Sequence, residues 1–230
     1  MKAIVFDFDG TLTKSPKGSN CWYKVWEEID DLEIDNLYYG MRKRNEINDD
    51  EWLNLIVKRY IKKGVNLKIC QKVSGKIKLQ DDLDKTFEIL KEKGILVFIL
   101  SGGIKPIVKL SLNKFVSYIE SIEAYDFDFD KKGKLKSFFK PFHNLEAKEE
   151  YIEYIKKKHN LSKGEILFVG NGQNDETVYK SGVKTLCINP DDADYKNKKY
   201  WTNYIQKCGS LLEILPFVSE VKNADQDIEK

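Results

Sequence analysis

The sequence predicts an α/β fold: a three-layer parallel sheet core with a small helical unit inserted after the first strand. Three observations carry that expectation. Four short, continuously apolar runs, "AIVF" (3–6), "ILVFIL" (95–100), "EILFVG" (165–170) and "KTLCIN" (184–189), each lead into a polar or glycine-bearing turn. Helical patterns alternate with these runs, and strands that are apolar throughout are those buried on both faces. Residues 15 to 78 break the alternation with helix patterns and no convincing strand.

Taken in order, Ala3 to Phe6 form the first strand, which ends in "DFDGT". Asp7 and Asp9 stand one strand period apart, so both side chains can lean the same way. Two such charges 4 Å apart repel by about 4 kcal/mol at an effective dielectric near 20. In the insert, Trp22, Val25, Trp26 and Ile29 share one helix face. A second helix over 48–64 follows acidic residues suited to a helix start and is expected to bury Trp52, Ile56 and the neighbourhood of Ile61. "DDLDKTFEILKEKG" (81–94) predicts a helix with Leu83, Phe87 and Leu90 inward and Gly94 as its stop. "AYDFDFDKKGKLKSF" (124–138) alternates around a "KKGK" turn and reads as a hairpin. "EAKEEYIEYIKKKHN" (146–160) is a helix with Tyr151, Ile152 and Ile155 as its apolar stripe, and the end after Pro216 is expected to fray. Residues 1–14 and 79–230 would then form the core, and 15–78 the helical insert.

Composition narrows the function classes. Of 230 residues, 41% are hydrophobic and 33% charged, the balance of a folded globular chain. The 39 basic and 37 acidic residues leave a net charge of +2, which removes the electrostatic case for nucleic acid as a partner. Cys21, Cys70, Cys187 and Cys208 are widely spaced, which argues against a structural zinc site or a disulfide scaffold and for a reducing compartment. The longest apolar run is far too short to span a bilayer, and the first strand follows Met1 too closely for a signal peptide. The expected location is the cytoplasm, with no membrane partner.

Ligands of open α/β sheets bind beyond the carboxyl ends of the strands. Three strands here end in suggestive loops: "DFDGT", then Ser101, Gly102 and Gly103, then "GNGQND" (170–175). Lys148 adds a base in the first turn of a helix, where the macrodipole gives a cation nothing. Each piece alone has an ordinary structural reading as a cap, turn or surface lysine; their order along the chain is far more specific. Together they resemble the haloacid dehalogenase superfamily, in its phosphoserine-phosphatase-like branch. "DFDGTLT" is similar to its first motif, Ser101 to its second, Lys148 to its third and "GNGQND" to its fourth, with 23 residues from Lys148 to Asn171.

The resemblance implies a Rossmann-like core with a helical cap, and a Mg²⁺-dependent phosphatase for a small phosphorylated metabolite. It implies Asp7 as nucleophile and Asp9 as acid and base. Ser101, Gly102, Lys148 and Asn174 would hold the phosphoryl group. Asp7, the Asp9 carbonyl, Asn171 and Asp175 would hold the metal, with Asn171 standing where the family usually has Asp. A phosphomutase or phosphotransferase, or a silent phosphate-binding module, would use the same residues. Phosphoserine phosphatases carry a glutamate shortly after the first motif; here "KSPKGSN" (14–20) has lysines and no acid, which suits an anionic or sugar-like leaving group better. Arg42, Arg44 and Arg59, the three arginines, all fall in the insert, as salt-bridged helix faces or as a grip on that leaving group. His143 and His159 fall away from the motifs and read as surface residues.

Overall fold

The structure is a computed structural model, and it describes residues 1–15, 19–140, 148–190 and 198–219. Seven strands form one sheet in the order β4-β3-β2-β1-β5-β6-β7. They are β1 Ala3–Phe6, β2 Leu96–Ile104, β3 Ile119–Phe129, β4 Leu135–Phe139, β5 Ile166–Gly170, β6 Lys184–Ile188 and β7 Asn203–Ile205. All neighbouring pairs are parallel except β3 and β4, the hairpin expected around "KKGK". β1 is central, and its four residues are fully buried. Ile4 and Phe6 point into one core and Ala3 and Val5 into the other, so the period of two serves two helical layers at once.

Between β1 and β2 lie α1 Cys21–Glu28, α2 Leu32–Lys43, α3 Asp49–Lys62, α4 Leu67–Lys76 and then α5 Leu83–Glu92. Three of the insert helices start on an asparagine: the side chains of Asn20, Asn48 and Asn66 accept first-turn N–H groups, and Glu51 completes a capping box at Asn48. The α1 face follows the sequence expectation, burying Trp22, Val25 and Trp26 with Ile29 half-buried. The α3 face does so only in part, at Ile56 and at Tyr60 beside Ile61. Leu53, Ile56, Val57 and Tyr60 are buried, whereas Trp52 is half-buried beneath Arg42 and Ile61 is 40% exposed. The i, i+3, i+4, i+7 set starting at Leu53 defines the inward stripe, and Trp52 and Ile61 flank it.

Trp22 stacks edge-on against Tyr125 and Phe127 of β3, with ring centroids 5.6 and 5.7 Å apart. Leu67 and Leu135 add backbone bonds between the insert and the hairpin, to Gly133 and Val65. The insert is thereby tied to the sheet beside the strand ends. After β2 come α6 Lys105–Ser111, α7 Lys148–His159 and α8 Leu215–Ser219. α7 buries Tyr151, Ile152 and Ile155 as its pattern predicts. His159 is not the surface residue expected but ends α7 against the Phe98 ring with its Nε2 buried. The fraying expected after Pro216 does not hold for 217–219, where α8 continues and Val218 is buried. His143 and 220–230 fall outside the described residues. All four cysteines are free and buried. Among the described residues no helix is long and apolar enough to cross a membrane.

Candidate active site

The chain runs outward from β1 through β2 to β3, then returns to build β5 on the other side of β1. The carboxyl end of β1 is therefore a topological switch point, where adjoining loops diverge and leave a crevice. Asp7 sits there, tied to β5 by its N–H to the Val169 carbonyl at 2.9 Å. Past it the chain makes the tight turn Phe8–Leu12. Gly10 lies in that turn at φ 78°, and a Cβ there would meet the Asn171 amide at 2.3 Å, so only glycine lets the first and fourth motifs touch. Thr11 Oγ donates weakly to Asn171 Oδ1 at 3.4 Å across the same contact.

Lys148 is the hub. Its Nζ donates to Asp7 Oδ1 at 2.9 Å and to Asp175 Oδ1 at 2.5 Å, and it is 4% exposed. A lysine so deeply buried needs compensating charge. Burial works against its protonated form, but the Asp175 and Asp7 carboxylates outweigh that and hold it above the ordinary lysine value. Asp175 is itself buried, and its Oδ2 accepts the backbone N–H groups of Asn171 and Gly172 at 3.0 and 3.2 Å. That bond set shapes the fourth-motif loop. Asn174 is exposed on the turn Gln173–Ser181 that follows, at the rim and not in the buried cluster.

Ser101 to Gly103 are not a loop before a helix; β2 continues through them to Ile104, with a register break against β3 between Leu100 and Ile104. The bulged stretch turns the Ser101 hydroxyl to accept from the Gly103 N–H at 3.0 Å, and Ser101 is 3% exposed. The Gly102 carbonyl accepts from Trp22 Nε1 at 2.9 Å.

Asp9 faces a different neighbour. Its Oδ2 accepts the Cys21 N–H at 3.2 Å and its Oδ1 the Cys21 thiol at 3.4 Å. Burial pushes the Asp9 carboxyl up to about 6, opposed by those two bonds and by Lys24. Burial raises Asp7 to about 7, against the pull of Lys148 and with the push of Asp175 and Asp9. Burial and the Asp9 charge lift the Cys21 thiol well above its ordinary value, so it is the donor in its bond to Asp9. Cys21 and Trp22 were invisible as site residues in the sequence, where they read only as the start of an amphipathic helix; no motif marks them.

Among the described residues no three acidic, histidine or cysteine side chains converge on one point. The donors that remain are the Asp7 and Asp175 carboxylates, the Asn171 amide oxygen and the Asp9 carbonyl. All are hard oxygens, the kind that Mg²⁺ takes. Two carboxyl groups, Asp7 and Asp175, share the single Lys148 ammonium, and a divalent ion beside Asp7 would favour its ionised form against the burial that raises it. The three arginines are not available to a ligand's anion in the same way: Arg42 pairs with Asp49, Arg44 with Glu46 and Arg59 with Asp31, each within the insert.

A polyol phosphate phosphatase of Saccharomyces cerevisiae is 28% identical over 205 residues, 78% of each chain. A phosphoserine phosphatase of Archaeoglobus fulgidus is 26% identical over 206 residues, covering 84% of this chain and 54% of that protein. A phosphoserine phosphatase solved with an analogue of its phospho-aspartyl intermediate shares the fold, with a TM-score of 0.75 over 94% of this chain and 98% of that one, at 22% identity. The model of the haloacid dehalogenase-like hydrolases matches residues 1–180. With its buried aspartate–lysine cluster at the switch point, the chain belongs to the haloacid dehalogenase-like hydrolase family, as an enzyme of its phosphoserine-phosphatase-like branch.

Proposed function

We propose that this phosphatase hydrolyses a small phosphorylated metabolite, with Asp7 as nucleophile, Asp9 as acid and base, and Mg²⁺ as cofactor. The observation that carries the reading is the buried Lys148 ammonium clamped between Asp7 and Asp175 at the end of β1. A cation held there has no packing role that an apolar side chain would not fill at lower desolvation cost. It suits an anion arriving beside Asp7.

In the first step an Asp7 oxygen bonds to phosphorus, the ester P–O bond breaks, and the Asp9 proton passes to the departing oxygen. In the second, Asp9 takes a proton from water, the water oxygen bonds to phosphorus, and Asp7 is released with inorganic phosphate. Ser101, the Gly102 amide and Lys148 hold the phosphoryl oxygens, with Asn174 at the rim. Asp7, Asp175, Asn171 and the Asp9 carbonyl would hold Mg²⁺, which would offset the repulsion between the carboxylate and the phosphate.

The helical insert serves as the cap over the leaving group. Its approach from residue 14 to 20 carries lysines and no acid, and its three arginines are engaged with its own carboxylates. A hydroxylated, sugar-like leaving group suits a sequence with no acid there better than the ammonium of phosphoserine does, and the yeast relative is named for polyol phosphates. The reading places the enzyme in the cytoplasm, where four free buried cysteines stay reduced, with neither nucleic acid nor membrane as partner. The test is turnover of p-nitrophenyl phosphate and a panel of phosphorylated metabolites with Mg²⁺. Asp7→Asn should lose activity by at least about a thousandfold while melting at the wild-type temperature. Appreciable residual turnover in that variant would refute the covalent step.

A further inference from the structure

The first helix of the insert reaches the site through groups that the phosphate-binding scheme leaves without a role. Cys21 is the first residue of α1. Its N–H and its thiol reach the two different oxygens of Asp9, at 3.2 and 3.4 Å. The next residue, Trp22, pins the Gly102 carbonyl at 2.9 Å. A Cβ at Gly103 would lie 3.0 Å from Asp9 Oδ2, 3.1 Å from Ser101 Oγ and 3.2 Å from Cys21 Sγ. Carboxylate, hydroxyl and thiol therefore converge on one bare stretch of backbone.

A carboxyl's terminal torsion is broad, so one hydrogen bond leaves it free to swing. Two donors from one residue, one on each oxygen, remove that freedom, and a thiol's longer S–H···O reach suits the 3.4 Å gap. We propose that Cys21 is a positioning residue for Asp9, fixing its carboxyl so that its proton is delivered to the departing ester oxygen. The protonated carboxyl still accepts on both oxygens from Cys21 while its O–H faces the substrate. This rests on the acid role of Asp9 proposed above.

Leaving-group dependence tests it. Phenyl phosphate and p-nitrophenyl phosphate have nearly the same shape, but phenolate is the poorer leaving group and needs the proton more. We compare kcat/KM on both esters for the wild type, Cys21→Ala, Cys21→Ser and Asp9→Asn. Cys21→Ala should lower the phenyl phosphate value by about tenfold and the p-nitrophenyl value by less than about threefold. Cys21→Ser, which keeps a donor, should restore the phenyl phosphate value to within about threefold of wild type. Cys21→Val fills the space without a donor and carries the expectation of Cys21→Ala if that variant does not fold. Equal losses on both esters, or none, would mean that Cys21 is only packing. If Asp9→Asn discriminates between the esters and Cys21→Ala does not, this inference falls alone. If Asp9→Asn lowers both equally, the acid role falls and takes this inference with it.

Discussion

At Asn171 a neutral amide stands where the resemblance sets an aspartate, and its surroundings explain how the site tolerates it. Its side chain packs on the bare Gly10 backbone and receives Thr11, while Asp175 supplies the charge one turn away. Adding a carboxylate among the metal's oxygen donors should tighten Mg²⁺. Asn171→Asp is expected to lower the Mg²⁺ concentration for half-maximal hydrolysis of p-nitrophenyl phosphate by roughly tenfold, about 1.4 kcal/mol. An unchanged or higher requirement in a metal titration would contradict the placement of the metal. At this scale Asp7, Asp9, Ser101 and Lys148 stood out in the sequence through their order along the chain, helped by the cost of placing Lys148 and the two carboxylates where they are. A lysine opening a helix is unfavourable, and adjacent carboxylates repel. The sequence could not show Cys21, whose contact with Asp9 exists only because α1 folds back over it.

Among the elements, the insert is held together by charge as well as by its aromatic cluster. Asp31, ahead of α2, accepts two bonds from Arg59 of α3 at 2.6 and 2.9 Å and pairs with Lys63 at 3.0 Å. The Arg59 hydrogen bonds, joined by Lys63, hold Asp31 down at about 2. A carboxyl lowered in the folded state contributes stability above its unfolded value, near 4, and loses it as pH falls toward 2. Thermal melts should therefore show Asp31→Asn a few degrees below wild type at pH 7, with the difference closing between pH 4 and pH 2. A constant difference across that range would remove the ion pair as its cause. The hairpin was legible here because a period of two around a glycine turn has one reading. The helices α2 and α4 were not: α2 buries no residue fully, so its apolar pattern is diffuse. β7 is three residues long and half-buried, too short to carry a period.

In the molecule as a whole, the Asp7 and Asp175 carboxyls buried around one ammonium at the end of the central strand make the site a local liability that a bound cation would relieve. Anything that binds only the folded state stabilises it by mass action. Mg²⁺ at a hundredfold excess over its Kd should add about 2.7 kcal/mol. For a chain of this size that is a rise of about 5–10 °C in melting temperature. Asp7→Ala should abolish most of the rise. A scanning calorimetry trace unmoved by millimolar Mg²⁺ would count against a resident divalent ion.

The sequence by itself determined the parallel α/β class, four of the strands and the hairpin, the helical character of the stretch after the first strand and the order of the motifs. These follow from periodicity and from residue types whose local cost demands a purpose. Tertiary structure alone decided which groups meet. It took β1 lying between β2 and β5 to bring Lys148 against Asp7 and Asp175, and the insert's docking on β3 to bring Cys21 onto Asp9. Those contacts join residues as far as 141 positions apart, and a local pattern holds no information on how far the chain travels before it returns.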